Sequence, residues 1–307
     1  MKLSDKNTEL NQKVIIERRN PMKKLLTVLL VLSLLSLTAI SALAETVTIA
    51  VPNDPTNEGR ALLLLQTYGV LTLKEGAGLE ATKNDIASTV DGVEIELYEV
   101  EAAIVPEIKG DVDYAIINNN YALQAGLNPV ADSLLMEDAN SPYVNVVSVK
   151  EGNEDTDAAK ALAAALQSQK VVDFINETYA GAAVATVENI TDGFDATINY
   201  DALAGTTISI AATPIPHVEV LKVAAEILAE KNITLDIKEV TDYVTPNEFV
   251  ENGDVFANYF AHQPYQDSFN AGNGTHLVTI AGIHVEPMAL YGGQQSDLAK
   301  LGIAAAE

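Results

Sequence analysis

The 307-residue chain contains no cysteine and no tryptophan. The missing cysteines exclude disulfides, thiolate metal sites, cysteine nucleophiles and lipid attachment through an N-terminal cysteine. Positive charge is scarce: 18 lysines and arginines face 43 aspartates and glutamates. Beyond Ala44 the balance is 11 against 40, a net of −29, and a single arginine, Arg60, is left. Such a surface repels nucleic acid and anionic lipid, and it repels a small anion unless positive charge is concentrated locally. A zwitterion escapes most of that penalty. Catalytic signatures are also missing: there is no Gly-x-Ser-x-Gly elbow, phosphate loop or glycine-rich dinucleotide fingerprint. His217, His262 and His284, with Glu286, have the chemistry of zinc or manganese ligands, but no pair has the close i, i+4 spacing of a helical metal site. No enzyme activity, metal or cofactor is expected.

What is present begins with an export signal. Met22-Lys23-Lys24 opens a short basic region, residues 25–40 are apolar, and Ala42-Leu43-Ala44 fits the small-x-small cleavage pattern. Cleavage is expected after Ala44, with release to the periplasm, the cell surface or the medium. The apolar run is short for a membrane span, and an uncleaved leader is the alternative. Residues 1–21 are polar and the pattern restarts at Met22, so Met1 and Met22 are both candidate starts.

Two segments share one design. A β-rich run over 47–51 leads through Pro52-Asn-Asp-Pro55 into an apolar helix, and another over 207–212 leads through Thr213-Pro-Ile-Pro216 into a helix over 217–231. Strands are expected at 93–100, 113–117, 144–149, 234–240 and 255–259, and one long helix over 157–179 closed by Gly181. This alternation predicts an α/β architecture with mainly parallel sheets in two lobes. Residues 186–205 read as a connection with one short helix.

Arg60 lies in the opening turns of a helix capped by Asp54 with Pro55 at its first position. A cation is disfavoured at that end of the dipole unless an anion is bound there. The competing reading is a surface arginine paired with one of many acids. The Tyr259-Phe260-Ala261-His262 run ends a strand, where α/β sheets bind ligands, and one of its two rings is expected in the core. Asn118-Asn119-Asn120 follows another strand, and two of these three are expected to serve the turn. Asn145 lies within a strand, where a buried amide needs partners.

Six segments, Pro52-Asn-Asp-Pro-Thr-Asn-Glu-Gly-Arg-Ala-Leu-Leu-Leu-Leu-Gln66, Ala115-Ile-Ile-Asn-Asn-Asn-Tyr-Ala122, Ser141-Pro-Tyr-Val-Asn145, Ala212-Thr-Pro-Ile-Pro-His217, Asp242-Tyr-Val-Thr-Pro-Asn-Glu248 and His284-Val-Glu-Pro-Met-Ala-Leu-Tyr291, resemble the methionine-binding (NlpA-type) solute-binding proteins of ABC importers. The resemblance spans nearly all of residues 46–300, but in a different order. Family members begin with the strand and turn found here at 207–217, and finish with the helical region that here ends near Tyr179. The chain therefore looks like a circular permutant, with 186–205 joining the family's two termini; a segmental duplication followed by loss, or a misassembled gene, would give the same order.

The resemblance implies two α/β lobes of the periplasmic-binding-protein fold with a ligand cleft between them. One lobe is 45–142 with a C-terminal helix in 293–302, the other 143–292. It implies that Arg60 binds an amino acid's carboxylate, that Asn118 and Asn145 bind its polar end, and that Tyr243, Phe260, His262 and Tyr265 line the side-chain pocket. Ala261 departs from the family's usual glutamine and Ile215 from its glycine, and the lipidated cysteine is missing. The implied function is capture of L-methionine or a close analogue for an ABC permease and its ATPase, with membrane contact only through that transporter or an uncleaved leader. Another amino acid or a small peptide is the alternative ligand; a metal-binding receptor and a hydrolase are the rivals of a different class.

Overall fold

The computed structural model describes residues 45–303; the expected leader and its cleavage point lie outside the described residues. No helix among them is long and apolar enough to cross a membrane. The strands are β1 Glu45–Pro52, β2 Leu71–Leu73, β3 Ile86–Thr89, β4 Val93–Val100, β5 Tyr114–Ile117, β6 Ser133–Met136, β7 Val144–Lys150, β8 Val184–Ala185, β9 Thr207–Ala212, β10 Thr234–Glu239, β11 Ala257–His262, β12 Leu277–Val285 and β13 Ala289–Gly292. The helices used below are α1 Pro55–Thr67, α2 Asn119–Gln124, α3 Asp157–Leu166, α4 Gln169–Tyr179, α5 Glu219–Ala229, α6 Thr245–Asn252 and α7 Gln263–Asn273.

Local chemistry sets the helix starts. The Asp54 side chain accepts the Asn57 N–H at 3.0 Å and Pro55 occupies the first turn of α1, as the sequence predicts. The single helix expected over 157–179 is instead two. Thr156 caps α3, and Ser168 accepts the Val171 N–H to start α4 afresh, a side-chain bond that competes with continuing the first helix. Ala180, not Gly181, takes the left-handed cap position at φ 44°.

The strands form two main sheets, ordered β4-β1-β5-β13-β6 and β10-β9-β11-β7-β12-β8, with β2 and β3 as a separate ribbon. The expectation of mainly parallel sheets is corrected. β1 with β5, and β9 with β10 and β11, run parallel. β7, β12 and β13 pair antiparallel with their neighbours, because these strands carry the chain back and forth between the sheets. The lobe boundary at 292 moves for the same reason: β13 pairs with β5 and β6, placing 289–292 in the first sheet rather than the second. The helix expected within 293–302 is reduced to a single 3-10 turn, Ala299–Leu301.

Both faces of the first sheet are covered. Val47, Ile49, Tyr114 and Ile116 meet Leu62 and Leu65 of α1 on one side, and Ala50, Ala115 and Ile117 meet Val105 and Tyr121 on the other. The second sheet buries Val147, Ile210 and Tyr259 against α3 and α5 through Leu162, Leu166, Val220 and Leu228. Removing Leu62 or Leu65 from water contributes about 2 kcal/mol each, which fixes the axis of α1 and hence the direction in which its first turns point.

Candidate functional site

Elements of both sheets end around one tight cavity, with about 340 Å³ of non-atom space once the solvent at its mouth is included. Register builds its floor. Asn145 of β7 pairs with His262 of β11 on one side and with His284 of β12 on the other. Asn118, Asn119 and Asn120 arrive from the end of β5, and the opening turns of α1 add Asn57 and Arg60. This is the crevice beyond the strand ends where open α/β sheets bind ligands. A register shift in β11 between Tyr259 and Ala261 re-aims the strand: Tyr259 is fully buried in the core, while Phe260 and Ala261 line the cavity.

All seven residues expected from the sequence, Arg60, Asn118, Asn145, Tyr243, Phe260, His262 and Tyr265, line this one cavity. Asn57, Asn119, Asn120, Ala261 and Glu286 line it as well. The assignment of two of the three consecutive asparagines to the turn is corrected. Asn118 stands at the N-cap of α2 without a side-chain capping bond, and all three amides face other work. Asn118 Nδ2 donates to Asn57 Oδ1 at 2.8 Å, Asn119 Nδ2 to the Ala182 carbonyl at 2.6 Å, and Asn120 Oδ1 accepts from the Tyr243 hydroxyl at 2.6 Å. Asn118 Oδ1, Asn119 Oδ1 and Asn120 Nδ2 are buried and have no partner among the described residues. A buried polar atom left unpaired costs on the order of 1–3 kcal/mol, so a cluster of them at one cavity is suited to a polar ligand.

Asn57 ties the two sides together. Its Nδ2 donates to both Asp54 oxygens, and its Oδ1 accepts from Asn118 and from His262 Nε2, the last at 3.1 Å. His262 Nδ1 accepts the Tyr265 N–H at 3.1 Å, which leaves the ring proton on Nε2. Burial holds the His262 pKa well below the usual histidine value, reinforced by the nearby Arg60 charge, so the ring is neutral. Tyr243, Phe260 and Tyr265 form a wall with ring centroids 5.9–6.1 Å apart, suited to an apolar or thioether side chain.

Arg60 joins features of both readings made from the sequence. It is not at the surface, being 3% exposed, yet it is acid-paired. Nε and one terminal nitrogen grip the Glu137 carboxylate at 2.6–3.0 Å, the same terminal nitrogen donates to the Glu286 carbonyl at 2.7 Å, and the guanidinium lies 4.3 Å from the Tyr143 ring centroid. The other terminal nitrogen has no hydrogen bond to the described residues. Nothing local in the sequence marks Glu137.

One group of metal-ligating types converges among the described residues: His217, His284 and Glu286, all buried. His284 Nε2 donates to Glu286 Oε1 at 2.8 Å and His217 Nε2 lies 3.1 Å from the same oxygen. Thr213 and Tyr259 hydroxyls bond the two Nδ1 atoms. Burial pushes the His217 pKa down to about 3, with Glu286 opposing and His284 assisting, so at neutral pH the ring is neutral and its contact with Glu286 is not an ion pair. Burial would raise the Glu286 pKa, but His217, His284 and Arg60 outweigh it and the carboxyl stays low. Both nitrogens of each imidazole have hydrogen-bond partners, Thr213 and Asn145 for His217, Tyr259 and Glu286 for His284.

Comparison with known proteins follows the same residues. A family model described as NlpA lipoprotein matches residues 33–187 and 208–305. The probable D-methionine-binding lipoprotein MetQ of Pasteurella multocida is 44% identical over 132 residues, 43% of this chain and 47% of that protein. Lipoprotein 28 of Escherichia coli K12 is 43% identical over 147 residues, 47% of this chain and 53% of that protein. A nutrient binding protein from Burkholderia cenocepacia whose structure was solved bound to methionine is 44% identical over 48% of this chain and 61% of its own, with a TM-score of 0.43. The chain spans about half the length of the curated relatives it matches. The family model, in contrast, covers both sheets and the residues that line the cavity, and on that match the chain belongs to the NlpA lipoprotein family.

Proposed function

We propose that this chain is an exported, non-catalytic binding protein that captures L-methionine, or a close analogue, and hands it to an ABC permease powered by its ATPase. The observation that carries this reading is the cavity itself: unpartnered donors and acceptors at one end, an aromatic wall at the other, and a single half-committed guanidinium between them. That combination is complementary to a zwitterion with an apolar side chain. The relatives' names support methionine, and they specify the D form. Bonds that cross the cleft, His262 to Asn57 at 3.1 Å and Tyr121 to the Thr241 carbonyl at 2.8 Å, describe a closed arrangement able to strip water from a bound ligand.

The test is a thermal-shift screen of residues 45–307 with L- and D-methionine, other amino acids, a glycyl-methionine dipeptide, and zinc and manganese. Ligand at about 100 times its Kd stabilises by roughly 2.7 kcal/mol, a rise of several degrees for a chain of this size. Methionine is expected to give the largest rise. A rise with another amino acid or the dipeptide alone changes the ligand; a rise with metal alone replaces the reading by a metal-binding receptor. Turnover of an ester or peptide substrate would restore the hydrolase.

We further infer that the order of segments is a circular permutation of the family's. The match divides into two stretches separated by 188–207, close to the connection at 186–205. The described ends also meet: Asp113 accepts from Thr48 near the start and from Gln295 and Lys300 near the end. Surface ends that lie together permit such rearrangement. A gene rebuilt to run from 206 to 303, through a short loop, and then from 45 to 187 is expected to fold with a similar melting temperature and ligand response. Failure of the rebuilt chain to fold would count against the permutation.

A further inference from the structure

The cavity holds a charge that the capture of a carboxylate does not use. Of the residues lining it, the charged ones are Arg60 and Glu286. Arg60 is already balanced by the bidentate Glu137 contact behind it. Glu286 is therefore the net charge that a ligand meets. Its Oε1 accepts from His284 Nε2 at 2.8 Å and lies 3.1 Å from His217 Nε2. No hydrogen bond from the described residues reaches its Oε2. The two rings are themselves locked, His217 by the Thr213 hydroxyl at 2.8 Å and His284 by the Tyr259 hydroxyl. With a hydroxyl donating to each Nδ1, each ring carries its proton on Nε2: that of His284 goes to Glu286 Oε1 and that of His217 to Asn145 Oδ1. The carboxylate is thus held ionised and oriented inside a water-poor site, with one oxygen left open. His217 Nε2 donates to Asn145 Oδ1 at 3.0 Å, which fixes the orientation of that amide, and the Asn145 NH₂ has no hydrogen bond to the described residues.

We propose that Glu286 Oε2 is the acceptor for the ligand's α-ammonium group, positioned by His217 and His284, so that the site takes primary amines and rejects N-acylated or deaminated analogues. This rests on the capture reading above and names the half of the zwitterion it left unassigned. Arg60's remaining nitrogen and the Asn120 and Asn145 amide donors then face the ligand's carboxylate, while Glu286 faces its nitrogen. An acidic partner for the ammonium also explains how a chain of net −29 avoids trapping simple carboxylates. A free acid lacking the amine would leave Glu286 desolvated and unpaired, which costs far more than the contact itself contributes.

Isothermal calorimetry on residues 45–307 tests this with three ligands: L-methionine, N-acetyl-L-methionine and 4-(methylthio)butanoate, which lacks the amine. Wild type is expected to bind L-methionine at least about 100-fold more tightly than either analogue. Glu286→Gln is expected to weaken L-methionine by a similar factor while affecting the deaminated acid much less, so that the preference for the amine shrinks. The wild-type comparison needs no variant and stands even if Glu286→Gln fails to fold. If wild type binds L-methionine and its analogues alike, or if Glu286→Gln keeps the full preference, the ammonium assignment is overturned and the capture reading survives. If wild type binds neither L-methionine nor any other amine-bearing ligand in the screen, both fall.

Discussion

Arg60→Ala is expected to abolish ligand binding, with affinity falling at least about 100-fold, the scale for removing one side of a desolvated charge contact. It should also destabilise the fold. Glu137 would lose its bidentate partner while its side chain remains 14% exposed and still tied to the Met288 N–H. Breaking a buried pair from one side costs about 3–5 kcal/mol, so urea denaturation must accompany calorimetry. Arg60→Ala with Glu137→Ala removes both charges and is expected to recover much of the stability but none of the binding. Arg60→Lys keeps the charge without the fork that engages Glu137 and the ligand at once, and it should fold yet bind weakly. Near-native affinity of a folded Arg60→Ala variant would sink the anchor assignment.

Lowering the pH from 7 to 4.5 is expected to strip stability through His217. Its folded pKa is depressed to about 3 by burial, below the unfolded value near 6.5. The unfolded chain therefore binds the proton first, and stability present above pH 6.5 is lost as pH falls toward 3. At pH 4.5 the loss from this ring alone is about 3 kcal/mol. His262, held well below the usual value by burial and by Arg60, acts in the same direction. So does Glu286: its depressed carboxyl contributes stability above its unfolded pKa that disappears on protonation. Urea titrations of wild type and His217→Asn at both pH values isolate the term, since the general relief of negative charge on acidification is common to the two. The variant should be weaker at pH 7 and lose less on acidification. An equal loss in both would remove His217 as the cause.

Much of this architecture was legible from neighbours in sequence. The N-cap at Asp54, the proline in the first turn of α1 and the alternation of strands and helices depend on contacts within a few residues. So does the placement of Asn118, Asn145 and His262 near strand ends. The seven cavity residues came from motifs whose resemblance to a family needs no geometry. The breaks were local features with weak signals. Ser168 ends a helix that the alanine-rich pattern would continue, and the β11 register shift decides which of Tyr259 and Phe260 is core.

The composition and charge of the chain by themselves determined that a ligand must bring its own positive group or be met by concentrated positive charge, and they placed Arg60 at the start of a helix. Only the tertiary structure decided what Arg60 does there. Its acid partner is 77 residues away and its carbonyl contact 226 away. Glu286, which a sequence reading sees only as a metal-type carboxylate, becomes the net charge of the cavity once the first sheet and His217 and His284 of the second surround it. Local propensity depends on residues a turn apart, but whether a buried charge is balanced depends on every group that folding brings within a few ångströms, and that is a property of the packed chain.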